Sequence, residues 1–383
     1  MIPLFKVFMS NNASREVTKV LKSGYIGQGP MVDKFEKNLK EWFQLDYLLT
    51  TNSATSAEHL ALHMLKKKMD GVRSKWDGLN DGDEVLCTPL TCTATNWTVL
   101  ANNLNIKWVD VDRDNLNMCL TDLRRKITPK TKVIYVVHWG GYPLDLDELK
   151  RIQIDTEKLY GFKPVIIEDC AHSFGSEYKN EKIGSHGNIC TFSFQAIKHL
   201  TSVDGGMLVL PHKELLDRGK LLRWYGIDRE DTSRKDFRCE EDIKEWGFKF
   251  HMNDVSAAVG VENLNVIDDL VKTHKSNGAY YNKELQKIDG LTLLENKKDR
   301  DSAYWIYTMK VEDRNNFMRM MVEKGIMVSR VHERNDKHTC VSDFVSHLPT
   351  LDEVVEEMIC IPVGWWVSKE DREYIVDTIK AGW

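Results

Sequence analysis

Lys198 is the residue from which chemistry in this chain is most directly argued. It lies in T-F-S-F-Q-A-I-K-H-L-T-S-V-D-G-G, residues 191–206, in the company of Phe192, Phe194, Ala196, Ile197 and Leu200. A lone lysine is ordinarily a solvated surface side chain. Among apolar neighbours, however, desolvation disfavours the ammonium form and leaves an amine able to attack a carbonyl carbon. About 25 residues earlier the apolar run P-V-I-I-E-D-C-A-H-S-F-G ends in Glu168, Asp169 and His172. Carboxylates at the carboxyl end of a strand face the crevice where open α/β sheets bind ligands. An isolated Glu-Asp pair is equally read as a cap on the following turn. With a lysine converging on the same sheet edge, the pair suits Schiff-base chemistry on an aldehyde-bearing cofactor.

Pyridoxal phosphate (PLP) is such a cofactor. It requires an anion beside its pyridinium nitrogen, hydrogen-bond donors for its phosphate and a flat group against its ring. The segment T-N-S-A-T-S-A-E-H-L-A-L, residues 51–62, opens an amphipathic helix with a small, hydroxyl-rich turn. Free N–H groups and the helix dipole make such a start an anion site, although a plain Ser/Thr N-cap has the same composition. Ser193, ahead of Lys198, adds a hydroxyl to the same set.

These groups need elements to hold them. Apolar, β-branched runs alternate with helical patterns from about residue 50 to 265, which predicts parallel β/α units. The clearest strands are Ile106–Val111, Val133–His138, Val165–Glu168, Ile189–Phe194 and Gly206–Leu210, with helices at Ser56–Lys67, Thr95–Leu104, Leu146–Tyr160 and Lys213–Trp224. Residues 251–285 read as one long helical connector. Strands at Leu291–Leu294 and Tyr304–Val311 and a helix at Arg314–Lys324 then predict a compact α+β tail, so a large domain of residues 1–265 and a smaller one of 266–383 are expected.

Composition narrows the classes. The 383 residues carry 53 basic and 58 acidic side chains, a formal charge of -5, which excludes a phosphate-neutralising surface for nucleic acid. No apolar run reaches the roughly 18 residues that span a bilayer, and M-I-P-L-F-K-V-F-M-S lacks the pattern of a leader peptide, so no membrane partner and a cytoplasmic location are expected. Cys87, Cys92, Cys119, Cys170, Cys190, Cys239, Cys340 and Cys360 are dispersed without C-x-x-C pairing, which argues against zinc and against a disulfide framework. No metal is expected. The charged stretch Asp228–Glu245 reads as a solvated loop.

In order and spacing, several segments resemble the DegT/DnrJ/EryC1/StrS family of PLP-dependent nucleotide-sugar aminotransferases. They are S-G-Y-I-G-Q-G-P (23–30), the 51–62 turn, T-P-L-T-C-T-A-T-N (88–96), V-D-V-D (109–112), I-T-P-K-T-K-V-I-Y-V-V-H-W-G-G-Y-P (127–143), I-E-D-C-A-H-S-F-G (167–175), the Lys198 segment, and G-F-K-F-H-M-N-D-V-S-A-A-V-G (247–260). The resemblance implies a type I PLP-transferase fold: a mostly parallel seven-stranded sheet flanked by helices, plus a smaller C-terminal α+β domain. It implies that Lys198 bonds the cofactor, that Asp169 pairs with the pyridinium nitrogen, and that His172 lies near the phenolic oxygen. Ser53, Ala54, Thr55 and Ser193 match phosphate contacts. Lys249 stands where the family commonly has an Asn reaching the neighbouring subunit's cofactor. Cys92 stands where many relatives place an aromatic ring against the pyridine.

By the same resemblance, the amino donor is glutamate, pyridoxamine phosphate forms between the two halves of the reaction, and a homodimer shares its active sites. Tyr25 and Gln28 match the acceptor-facing segment. Arg330, His332 and Arg334 in V-S-R-V-H-E-R-N-D-K-H are read either as contacts to a diphosphate and sugar hydroxyls or as a solvated loop, and His138 either as pocket lining or as a structural histidine. Trp365 and Trp366 are either core or interface. The acceptor expected is a nucleotide-linked 4-keto-6-deoxyhexose, with a 3-keto sugar nucleotide, a PLP-dependent sugar dehydratase and a non-catalytic regulatory homologue as alternatives.

Overall fold

The computed structural model describes residues 1–68, 76–230, 236 and 242–383. Cys239 and much of the 228–245 stretch lie outside the described residues. Seven strands form one sheet in the order Leu48–Thr51, Gly206–Val209, Ile189–Ser193, Val165–Asp169, Thr131–Val137, Glu84–Cys87, Asn105–Trp108. Neighbours from Ile189–Ser193 to Asn105–Trp108 are all parallel, whereas Gly206–Val209 runs antiparallel to both of its neighbours. This is the mostly parallel α/β sheet that the alternating pattern predicts.

Successive residues of a strand point to opposite faces, and both faces here are covered. Val133 and Tyr135 enter one apolar core with Val85, Cys87 and Ile167. Ile134 and Val136 enter the other with Leu86, Ile166 and Phe192. The strands therefore read as continuous apolar runs rather than as alternations.

A second sheet, antiparallel, is built from Leu291–Leu293, Tyr307–Val311 and Met358–Ile361. Helices Arg314–Glu323 and Lys369–Lys380 cover it through Phe317, Met321, Ile375 and Ile379. The N-terminal segment joins this region: Ile2 bridges to Ile326, and the Trp366 indole donates to the Pro3 carbonyl at 2.8 Å. Trp366 thus packs on the core beneath the antiparallel sheet, and Trp365 meets Phe8 edge-on at 5.3 Å.

The connector expected as one helix is two, Asp254–Leu264 and Ile267–Glu284. Val266, with φ -124 and ψ 9, leaves helical geometry between them. Among the described residues no helix is long and apolar enough to cross a membrane.

Candidate functional site

Ser53, Asp169 and Ser193 end or closely follow the strands Leu48–Thr51, Val165–Asp169 and Ile189–Ser193, and all three line one cavity of about 740 Å³. Its walls also carry Ala54, Thr55, Cys92, His172, Lys198 and His332. Nine of the residues expected from the sequence are therefore brought to one place.

Lys198 sits on the loop after the Ile189–Ser193 strand. Its amine titrates at about 8, because burial disfavours the ammonium while Asp169, Cys92 and Glu58 oppose that shift. Asp169 ends its strand with both carboxylate oxygens held. Thr95 Oγ1 donates to Oδ2 at 2.7 Å and the Ala171 N–H donates to Oδ1 at 2.9 Å. An acid so oriented is ready for a cationic ring nitrogen.

The phosphate cradle is the start of helix Ala54–Met64. Ser53 caps it by accepting from the Ser56 N–H at 3.0 Å, so the first amides of the helix stay free toward the cavity. The paired glycines explain how this turn is seated: a Cβ on Gly206 would lie 2.5 Å from Ser53 C and O and from Ala54 N. Only a glycine lets the Gly206–Val209 strand run that close. Cavity size, amine, oriented acid and anion-binding helix start all fit PLP.

His172 is buried, and its ring is held well below the usual histidine pKa by burial and by the nearby Lys198 charge. It stacks on Trp305 with centroids 3.9 Å apart. His332, also in the cavity, is lowered to about 4 by burial and Lys198, so both imidazoles are neutral. Cys92 caps helix Thr93–Ala101, and its carbonyl accepts from Asn335 Nδ2 at 3.4 Å.

Thr95, Trp305 and Glu58 also line the cavity, although the sequence singles out none of them. Thr95 orients Asp169. Trp305 lies beneath Lys198, Nζ standing 3.6 Å from its ring centroid. Glu58, only 1% exposed, leaves Oε2 without a partner, and burial together with the Asp169 charge pushes its carboxyl well above the usual range.

Other expected residues lie elsewhere. His138 does not line the cavity: its Nε2 is 2.8 Å from Glu168 Oε2, and its Nδ1 accepts from the Leu144 N–H at 3.0 Å. With Nδ1 accepting, the ring is the tautomer that donates from Nε2–H to the Glu168 carboxylate. Glu168 and Asp169 are consecutive on a strand, so the His138 pair faces away from the Asp169 side. The structural alternative holds for His138. Glu168, His138 and Cys170 have ligand atoms within 4.8 Å of one another, yet both imidazole nitrogens are already engaged.

Arg334 is likewise spent. It is clamped by Asp336 at 2.6 and 2.7 Å and by Asp352, and is only 4% exposed. Arg330 pairs with Glu333 at 2.5 Å. Neither guanidinium lines the cavity, so of the expected trio only His332 does. Tyr25 is 78% exposed, and the Gln28 carbonyl accepts from Arg229 Nη2 at 3.0 Å, both outside this cavity. Lys249 bridges to Trp224, its carbonyl accepts from Asn52 Nδ2 at 3.2 Å, and it too lies outside its own chain's cavity.

A doubly covered parallel sheet with a lysine, an oriented aspartate and a helix-start anion site at its carboxyl edge defines a PLP-dependent transferase. Residues 8–380 match the model of the DegT/DnrJ/EryC1/StrS aminotransferase family, and the chain belongs to that family. Its cofactor is PLP. Among solved structures it is similar to AtS13 from Actinomadura melliaura, at 47% identity and TM-score 0.94 over 100% of this chain and 99% of that one. It is also similar to the sugar aminotransferase CalS13 from Micromonospora echinospora, at 42% identity and TM-score 0.93 with 100% of each chain covered. GDP-perosamine synthase of Escherichia coli O157:H7 is 28% identical over 99% of this chain and 97% of its own length.

Proposed function

We propose that this enzyme moves an amino group from glutamate to a nucleotide-linked keto sugar, foremost a 4-keto-6-deoxyhexose, to make an amino sugar for glycan biosynthesis. The observation that carries the reading is the convergence of the Lys198 amine and the Thr95-oriented Asp169 on one cavity beside the Ser53–Thr55 helix start. The relative named GDP-perosamine synthase supports a nucleotide-sugar acceptor.

When bound, PLP supplies a conjugated ring that takes up the electron pair left as a proton leaves the donor's α-carbon. Lys198 would hold the cofactor covalently, and the amides of Ala54 and Thr55 with Ser193 would hold its phosphate. Asp169, kept in register by Thr95 and Ala171, keeps a proton on the ring nitrogen. Lys198 Nζ, titrating near working pH, takes the proton from the donor α-carbon and later delivers one to the former carbonyl carbon of the acceptor. Buried His172 and Trp305, with the half-buried Phe5, exclude water from that exchange.

The same reading includes a cytoplasmic homodimer, in which Lys249, outside its own chain's cavity, serves the neighbouring subunit's site, and in which Tyr25 and Gln28 meet the acceptor. It also includes a division near residue 265 between a cofactor-binding and a smaller domain. The test is a screen of keto sugar nucleotides with glutamate. Stoichiometric 2-oxoglutarate and amino sugar support the reading. Loss of water from the sugar without 2-oxoglutarate would assign a dehydratase, and absence of PLP absorbance after PLP is added would assign a non-catalytic role.

A further inference from the structure

Trp305 belongs to the segment leading into strand Tyr307–Val311, far in sequence from Lys198, yet it is built onto the lysine's loop. Its indole N–H donates to the carbonyl of Ile197, the residue before Lys198, at 2.9 Å. Its ring face meets Lys198 Nζ at 3.6 Å. The ring also stacks with His172, centroids 3.9 Å apart, and with Phe5 at 5.0 Å.

The backbone around it is equally constrained. Tyr304 takes a positive φ of 49, which costs free energy for a bulky residue. That conformation is retained because the Trp305 N–H donates to the Gly140 carbonyl at 2.9 Å and His199 Nε2 lies 3.0 Å from the Ala303 carbonyl. A tryptophan needed only to fill space would require neither the strained residue before it nor a hydrogen bond to the lysine's own loop.

We propose that Trp305 is a positioning residue for Lys198, pinning the lysine's loop through its indole N–H and holding the free ε-ammonium against its ring face. The inference rests on the reading of Lys198 as the cofactor-bonding lysine. During amino transfer that lysine must leave the cofactor, carry a proton and return to the same place. A flat, electron-rich face 3.6 Å from Nζ gives the released ammonium a resting position without a carboxylate contact strong enough to trap it. The other groups that act on the amine are the carboxylic groups of Asp169 and Glu58, the Cys92 thiol, and the His172, His199 and His332 imidazoles.

The test is the pH profile of Lys198 acetylation by acetic anhydride in PLP-free protein, read by peptide mapping, in wild type, W305F, W305L and W305M. The wild-type chain with PLP added is the control for the reading itself. PLP should protect Lys198. If it does not, the reading fails and the proposal with it. With protection seen, W305L and W305M should shift the Lys198 profile down by about one pH unit, since a desolvated cation loses its ring face. W305F, which keeps a face, should retain most of the wild-type value. W305L and W305M profiles superposable on wild type would overturn the role of Trp305 and leave the Lys198 reading intact. W305M, longer than Leu, carries the comparison should the Leu variant fail to fold.

Discussion

The Thr95 hydroxyl donates to Asp169 Oδ2 at 2.7 Å, and Thr95 is in turn 3.0 Å from the Thr91 hydroxyl. The acid is thus aimed by a helix that carries no charge of its own. D169N should retain cofactor binding and lose amino transfer by several orders of magnitude. T95V leaves the Ala171 N–H bond in place and removes one hydrogen bond to a charged group, so a loss of about tenfold in kcat is expected. Single-turnover kinetics with glutamate check both, and wild-type rates in D169N would assign the ring nitrogen's partner elsewhere.

Lys198 titrates at about 8, against about 10.4 for an ordinary lysine. Only the neutral amine attacks an aldehyde, so capture of PLP by the cofactor-free protein should rise about tenfold per pH unit up to pH 8 and level off above it. A capture rate still climbing between pH 9 and 10 would show an unshifted amine. Borohydride reduction of the loaded enzyme should leave its label on Lys198.

Glu58 is a buried acid with a raised pKa, and the sign of its contribution follows. Below about pH 4 both folded and unfolded forms are protonated, and its ionisation adds nothing. As pH rises past the unfolded value of about 4.3 the unfolded chain gains by losing the proton while the folded chain keeps it, so stability falls. E58Q should therefore melt higher than wild type by about 2 °C or more at pH 8, with the difference vanishing near pH 4. Scanning calorimetry of the PLP-free protein at both pH values reads this directly.

Gly206 approaches Ser53 and Ala54 so closely that G206A must push the cradle helix away, a Cβ there standing 2.5 Å from backbone atoms. The expected result is PLP affinity weakened by about tenfold or more, measured by equilibrium titration, with Lys198 still the labelled residue. Unchanged affinity would show that the phosphate is held without that turn.

His138 and Glu168 form a fully buried pair at 2.8 Å. Glu168 keeps the Asn188 amide as a second donor at 2.6 Å, so losing the imidazole costs about 1.5 to 3 kcal/mol, the worth of one hydrogen bond to a charged group. H138L, which removes the donor outright, should lower denaturant stability by roughly that amount and leave the acceptor KM unchanged, whereas a pocket histidine would show the reverse pattern.

Much of this site was legible because its parts are local. A strand ending in Glu168-Asp169, a hydroxyl-rich helix start and a lysine among aromatics are each written within a dozen residues, and buried parallel strands announce themselves as apolar runs. Leu48–Thr51 and Glu84–Cys87 were missed, whereas the equally short Asn105–Trp108 and Gly206–Val209 were found because apolar residues continue the run past them, at Val109 and Val111 and at Leu210. Trp305, Glu58 and Thr95 escaped because their roles come from packing between distant segments. The Arg330 and Arg334 expectation failed on a signal that was present: Glu333 and Asp336 stand beside them in the same stretch and neutralise them in the fold.

The indole bond from Trp305 to Ile197 spans 108 residues of chain. At a synthesis rate of 5 to 20 residues per second, the lysine emerges from the ribosome on the order of ten seconds before the tryptophan that seats it. For that interval Lys198 is an ordinary lysine, without the burial that lowers its pKa in the finished fold. Until residue 305 has been made, the Ile197 carbonyl therefore lacks the indole donor that it has in the finished fold.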